Sequence, residues 1–154
     1  MLSVSEIMTR EPYTLAPEAS LSDARRLMAE HHIRHVPILS PEGTLIGVVS
    51  QRDILAASDS ILSGEGAETK LGDAPLSELM TSPVQTVEPD SDLRGAALFL
   101  QKNRLGCLPV LSEGKLVGIV TDSDYVGVAI NLMEQLELAE PVEEDELADD
   151  GEDY

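Results

Sequence analysis

Apolar residues follow two alternating periods along this chain, and the same alternation occurs twice. Leu21, Ala24, Leu27 and Met28 fall on one stripe of a helix predicted over residues 20–32, and Leu93, Ala96, Ala97 and Leu100 do so over 92–104. Each helix is followed by a short apolar run, 35–39 or 107–111, that reads as a strand. Turn residues at 41–43 and 113–114 lead into second strands, 44–50 and 115–121, whose consecutive apolar residues predict burial on both faces. Short helical turns are predicted at 4–8 and 76–80. Thr14-Leu15 and Thr86-Val87 read as brief extended pieces ahead of Pro17 and Pro89.

Superposing the chain on itself at an offset of 72 matches Ser5 with Ser77, Glu6 with Glu78, Met8 with Met80, Thr9 with Thr81, Pro17 with Pro89 and Pro37 with Pro109. The first copy carries one extra residue, Pro41, after which an offset of 71 pairs Gly43 with Gly114, Gly47 with Gly118 and Asp53 with Asp124. Two copies of about 55 residues are too few for a solenoid, so they are expected to pack on each other about a pseudo-twofold axis. The fold class is α/β (α+β), with two β-α-β-β-α repeats. The expected boundaries are 1–62 for the first repeat, 63–75 for an exposed linker, 76–139 for the second repeat and 140–154 for an acidic, disordered tail.

Composition narrows the function classes. The 154 residues are 42% hydrophobic and 25% charged, as expected of a soluble globular chain. No apolar run reaches the roughly 20 residues of a membrane span, and the start lacks a signal-peptide pattern, so a cytoplasmic location is expected. A net charge of −19 argues against nucleic acid or an anionic membrane as partner. Nine of those negative charges lie in 140–154, leaving −10 for the rest. The tail reads as a solubilising end or as a segment that docks a partner or competes with phosphate for basic residues. Cys107 is the single cysteine, in an apolar strand, and is expected to be a buried structural thiol.

The two second strands end alike, as Gly47-Val48-Val49-Ser50-Gln51-Arg52-Asp53 and Gly118-Ile119-Val120-Thr121-Asp122-Ser123-Asp124. A hydroxyl followed three places later by a carboxylate is a helix capping box, and Ser20 to Asp23 has the same spacing. A carboxylate also has two acceptor oxygens, enough to hold the two hydroxyls of a ribose. Both uses remain open for Ser50 with Asp53 and for Thr121 with Asp124.

The duplicated unit has Met-Thr near its start, a strand of the form apolar-Pro-apolar-apolar, and Gly-apolar-apolar-Ser/Thr-x-x-Asp at its last helix. It resembles the cystathionine-β-synthase (CBS) domain over roughly residues 4–133. The resemblance implies a tandem pair, or Bateman module, of the stand-alone bacterial type. It implies a non-enzymatic regulator that binds AMP, ADP, ATP or S-adenosylmethionine in clefts between the repeats. Such a module requires no cofactor, with Mg entering only alongside ATP, usually forms a homodimer, and signals occupancy to a regulated protein that the sequence does not name. An empty dimerisation scaffold is the alternative. By the same resemblance, Ser50, Asp53, Thr121 and Asp124 serve the ribose; Arg34, His35 and Arg52 the phosphates; and Thr14, Leu15, Val36, Thr86, Val87 and Leu108 the adenine pocket. The bland counterparts are solvated surface charge for Arg34 and Arg52 and ordinary core packing for the apolar set.

The copies differ where phosphate would lie. Gly106 and Cys107 stand where the first copy has Arg34 and His35, and Ser123 stands where it has Arg52. The first corner is thus expected to be the more cationic of two unequal sites. His31, His32 and His35 form a His-His-x-x-His cluster, but no Cys or acid completes a ligand set, and metal is not expected. No nucleophile paired with a base and no P-loop is present, which argues against an enzyme.

Overall fold

The computed structural model describes residues 1–61 and 71–140. Both repeats share the order short helical turn, helix, two strands, helix, and the first adds a two-residue strand after its opening turn. A 3-10 turn (Val4–Glu6) and a two-residue strand β1 (Thr9–Arg10) precede helix α1 (Leu21–His31), strands β2 (His35–Leu39) and β3 (Leu45–Ser50), and helix α2 (Gln51–Ile61). The second repeat has a short helix α3 (Leu76–Leu79), helix α4 (Leu93–Asn103), strands β4 (Cys107–Ser112) and β5 (Lys115–Thr121), and helix α5 (Asp122–Ala139).

Local chemistry sets the helix ends. Ser20 and Asp23 form a full capping box at the start of α1, with Asp23 N–H donating to Ser20 Oγ at 3.1 Å and Ser20 N–H to Asp23 Oδ2 at 3.0 Å. Asp92 caps α4 by accepting from Gly95 N–H at 2.8 Å. α1 and α4 close on left-handed residues, His32 and Arg104, at φ 55° and 56°. In the hairpins β2–β3 and β4–β5, the turns place Gly43 at φ 87° and Gly114 at φ 80°, where a side chain is strained. The second strands are buried on both faces, as their apolar runs predict: Gly47, Val48 and Val49 are consecutive buried residues, as are Gly118, Ile119 and Val120. The extended pieces at Leu15 and Val87 reduce to single parallel bridges, to Ile38 and Val110.

The two hydrophobic cores do not follow the repeat boundaries. Val4 and Met8, from the start of the first repeat, pack with Leu93, Ala96, Leu100, Leu108, Val110 and Val120 of the second. Leu76, from the start of the second, packs with Leu21, Ala24, Met28, Val36, Ile38 and Val49 of the first. Backbone pairing follows the same exchange. Thr9 pairs with Ile119 in β5, and Thr81 exchanges two bonds of 2.8 and 3.1 Å with Val48 in β3.

The exchange explains why Met-Thr and the corner glycine recur together. A Cβ at Gly118 would lie 2.7 Å from Met8 Sδ and 3.0 Å from the Thr9 carbonyl oxygen, and one at Gly47 would collide with the Met80 side chain. Each glycine is the floor on which the other repeat's methionine rests. Leu71 also differs from the expected exposed linker: it is buried in the first core because Ala74 and Pro75 tie this stretch to Leu21 and Ser20. Residue 62 of the first repeat, residues 63–70 of that linker, and all of the acidic tail except Glu140 lie outside the described residues.

Candidate functional site

A cleft of about 780 Å³ opens where the two repeats meet. Its size lies within the roughly 300–1,000 Å³ of small-molecule sites. The first repeat contributes Arg34 and His35 at the start of β2, Val48 and Ser50 of β3, and Gln51, Arg52, Asp53 and Leu55 of α2. The second contributes Thr81 and Pro83–Gln85, the end of α4 with Arg104, then Leu105, Gly106, Cys107 and Asp122. The exchanged pairing of Thr81 with Val48 brings the 81–85 segment to the first corner.

At that corner Asp53 performs the capping role that its spacing allows. Its Oδ2 accepts from Ser50 N–H at 2.8 Å, while its own N–H donates to Ser50 Oγ at 3.0 Å. The cap engages one carboxylate oxygen, leaving Oδ1 as a second acceptor on a residue that lines the cleft. The second corner caps similarly, Asp124 Oδ2 accepting from Thr121 N–H at 2.8 Å and lying 3.3 Å from Thr121 Oγ1. Thr121 and Asp124 do not line the cleft, although their neighbour Asp122 does.

Arg34 departs from its expected place at the first corner. Its guanidinium crosses to the second, donating to Ser123 Oγ at 2.9 Å and pairing with Asp122 at 3.7 Å. Asp122 stands where the first corner has Gln51, so the second corner offers Arg34 a carboxylate at a position where the first has none. Arg52 and Arg104 also line the cleft and have no ion pair among the described residues.

The residues expected to enclose adenine are placed elsewhere. Val36 and Leu108 are fully buried in the two cores, with no surface left for a base. Leu15 and Val87 pack against those cores, Thr14 is half-buried away from the cleft, and Thr86 is exposed. Apolar cleft walls come instead from Val48, Leu55, Pro83, Val84, Leu100 and Leu105. The signal for part of this set was present in Met80-Thr81, whose pairing with the corner glycine fixes the segment that follows.

The three histidines separate. His31 stacks on Tyr13 with centroids 3.8 Å apart, His32 ends α1, and His35 turns over Gly106, where a Cβ would lie 2.6 Å from its Nε2. Among the described residues no group of three or more His, Cys, Asp or Glu is placed to hold a metal. Burial lowers the His35 pKa, with Asp122 and Asp53 opposing the shift and Arg34 and Arg52 adding to it. Stability that rests on neutral His35 is therefore present above about pH 6.5 and is lost as pH falls below it.

Burial, reinforced by the charges of Asp122 and Asp53, pushes Cys107 up to about 12. Its ordinary value is 9.0, so stabilisation from the neutral thiol is complete below pH 9.0 and declines as pH rises towards about 12. Two results are expected. Alkylation of Cys107 at pH 7.5 should be at least about tenfold slower in the folded than in the unfolded chain, and Cys107→Ala should lose less melting temperature than wild type between pH 8 and 10. Equal alkylation rates would contradict the burial.

Comparison with known proteins accords with this architecture. The family model described as "CBS domain" matches twice, over residues 4–60 and 76–134. The chain belongs to the CBS domain family. Among solved CBS-pair structures, the AcuB protein of Vibrio cholerae is 45% identical, with a TM-score of 0.76 over 92% of this chain and 99% of its own. CBSX2 in complex with AMP is 29% identical at a TM-score of 0.72, covering 86% of this chain and 99% of its own. The CBS domain pair of MJ0100, in complex with 5'-methylthioadenosine and S-adenosyl-L-methionine, is 25% identical at 0.73, covering 85% and 98%. Some curated CBS-containing relatives are longer. Matches at 37% and 32% identity cover 81% and 78% of this chain but span 43% of a 33.4 kDa protein of Thermofilum pendens and 23% of homoserine O-acetyltransferase from Methanocorpusculum labreanum. No helix among the described residues is long and apolar enough to cross a membrane.

Proposed function

We propose that this CBS pair is a non-enzymatic regulatory module that binds an adenosine-type ligand in the cleft between its repeats and signals occupancy to a partner protein. The observation that carries the reading is Asp53, whose Oδ2 holds the helix cap while the carboxylate lines a cleft walled by apolar residues of both repeats. The remaining oxygen is an acceptor for a ribose diol, and Val48, Leu55 and Val84 offer apolar surface for a base. The likeness to CBSX2 with AMP and to the MJ0100 pair with its two adenosine ligands supports the ligand class. Because both repeats line the cleft, a ligand shifts their arrangement to the extent that it binds one arrangement more tightly. Calorimetric titration with AMP, ADP, ATP and S-adenosylmethionine tests this directly. Saturable heat with at least one is expected, and neither heat nor a thermal shift with any at millimolar concentration would sink it.

A second feature favours self-association. None of α5 is buried, and Val126, Ile130, Met133 and Leu136, spaced to share one stripe, are 57, 53, 61 and 69% exposed. A homodimer that pairs this stripe with its own copy would cover it. Ile130→Glu with Met133→Glu should then convert the dimer to monomer in sedimentation equilibrium while preserving the melting transition of the cores. A monomeric wild-type chain would rule out the pairing.

A further inference from the structure

We propose that the overhanging end of α5 is a docking surface for a basic amphipathic helix of the protein that this module regulates. The inference gives the chemistry of the partner in the reading above and rests on it, but its test uses no nucleotide, so the two fail separately. α5 starts at the cleft, which Asp122 lines, and is anchored one turn later. Tyr125 packs against the second core, and its hydroxyl donates to the Leu93 carbonyl at 2.8 Å. Val128 and Ala129 are still half-buried. From Asn131 to Glu140 every residue is exposed, so roughly the last two turns of the helix overhang the body. The family match ends at residue 134, whereas the helix continues to Ala139.

The overhang keeps the pattern of a buried face. Tyr125, Ala129, Leu132, Leu136 and Ala139 follow the spacing of one helix stripe. The part of that stripe nearest the cleft is covered by the body. The rest is not, with Leu132 at 55% and Leu136 at 69% exposure. The repeat itself gains nothing from leucines there, whereas a second helix laid alongside would cover them. Val126, Ile130 and Met133 of the homodimer stripe lie on the adjoining face, and Leu136 borders both.

Charge decides what that helix is. Residues 116–154 hold thirteen Asp and Glu side chains and no Lys, Arg or His. Glu134 and Glu137 lie on the overhang, and nine acids follow in 140–154. A second copy laid on this end would bring two such runs within a Debye length, about 8 Å at physiological salt, and their repulsion opposes the pairing. A helix with leucine-like residues on one side and Lys or Arg on the other satisfies the apolar stripe and the acidic charge together. The same charge opposes nucleic acid and anionic lipid as occupants.

Fluorescence-anisotropy titration of the full chain with a labelled synthetic peptide, Leu and Lys arranged as an amphipathic helix, tests the proposal. A scrambled peptide of the same composition and one with Glu for every Lys are the controls. The amphipathic Leu/Lys peptide should bind at least about tenfold more tightly than the scrambled one, the Glu peptide should not bind, and added salt should weaken binding. Leu132→Gln with Ala139→Gln should lower the affinity about tenfold and leave the oligomeric state in sedimentation equilibrium as in wild type. Both positions are exposed, and a melting curve establishes that the variant folds. No binding of the amphipathic peptide, equal affinity for the scrambled one, or an unchanged affinity of the variant overturns the proposal. Dissociation of a wild-type dimer by the same variant also overturns it, because a second copy then covers this face.

Discussion

Leu76→Ala is expected to destabilise the chain by about 2–5 kcal/mol, the usual cost of emptying a fully buried leucine site. The informative result is where the damage appears. Leu76 opens the second repeat in sequence but is fully buried in the core of the first, against Leu21, Val36 and Ile38. Amide exchange should therefore accelerate in α1, β2 and β3, while α4 and β4 keep most of their protection. The mirror substitution, Val4→Ala, should do the reverse, because Val4 packs with Leu93, Leu108 and Val120. Loss of protection in α4 after Leu76→Ala, with α1 unaffected, would contradict the exchanged cores.

Asp53→Ala is expected to lower nucleotide affinity about 10- to 100-fold, since a hydrogen bond to a charged group contributes roughly 1.5–3 kcal/mol. The same change also removes a helix cap, at a cost of about 1 kcal/mol in stability. The two effects separate cleanly. Asp23→Ala removes a cap of the same geometry, at Ser20, from a residue that does not line the cleft. It should match Asp53→Ala in melting temperature yet leave nucleotide binding unchanged. If both variants bind as wild type does, Asp53 is a cap alone and the scaffold reading gains.

Much of the fold was legible because its signals are local. The apolar stripes, capping residues and turn glycines each sit within a few positions of the element they specify, and the duplication supplies every signal twice. The exchange of opening segments was not legible. Met8 rests on Gly118 and Met80 on Gly47, contacts that span most of the chain or bridge its halves, and no periodicity encodes them. Both motifs were visible in the sequence; their mutual contact was not.

The candidate site divides along the same line. Ser50, Arg52 and Asp53 line the cleft from one strand-to-helix corner, whose residues are fixed locally, and Arg34 and His35 join them from the start of β2, whereas the matched Thr121 and Asp124 do not line it. The set expected to enclose adenine does not line this cleft. Leu15, Val36, Val87 and Leu108 have the apolar character of a base pocket, but that character is consumed by the cores, and the apolar walls of the cleft come from Val48, Leu55, Leu100 and Leu105 together with Pro83 and Val84 of the exchanged segment. Arg34 shows a further limit. Which acid a long cationic side chain reaches depends on the repeat packing, here on Asp122 lying within 3.7 Å.

The central claim is that one adenosine-type ligand sits in this cleft with its ribose on Asp53. A crystal structure of the protein grown with AMP measures it most directly. The expected density has the ribose hydroxyls within hydrogen-bond distance of Asp53 Oδ1 and the base against Val48 and Val84. A fully formed cleft without nucleotide density at millimolar AMP, or nucleotide bound only beside Asp124, would contradict it.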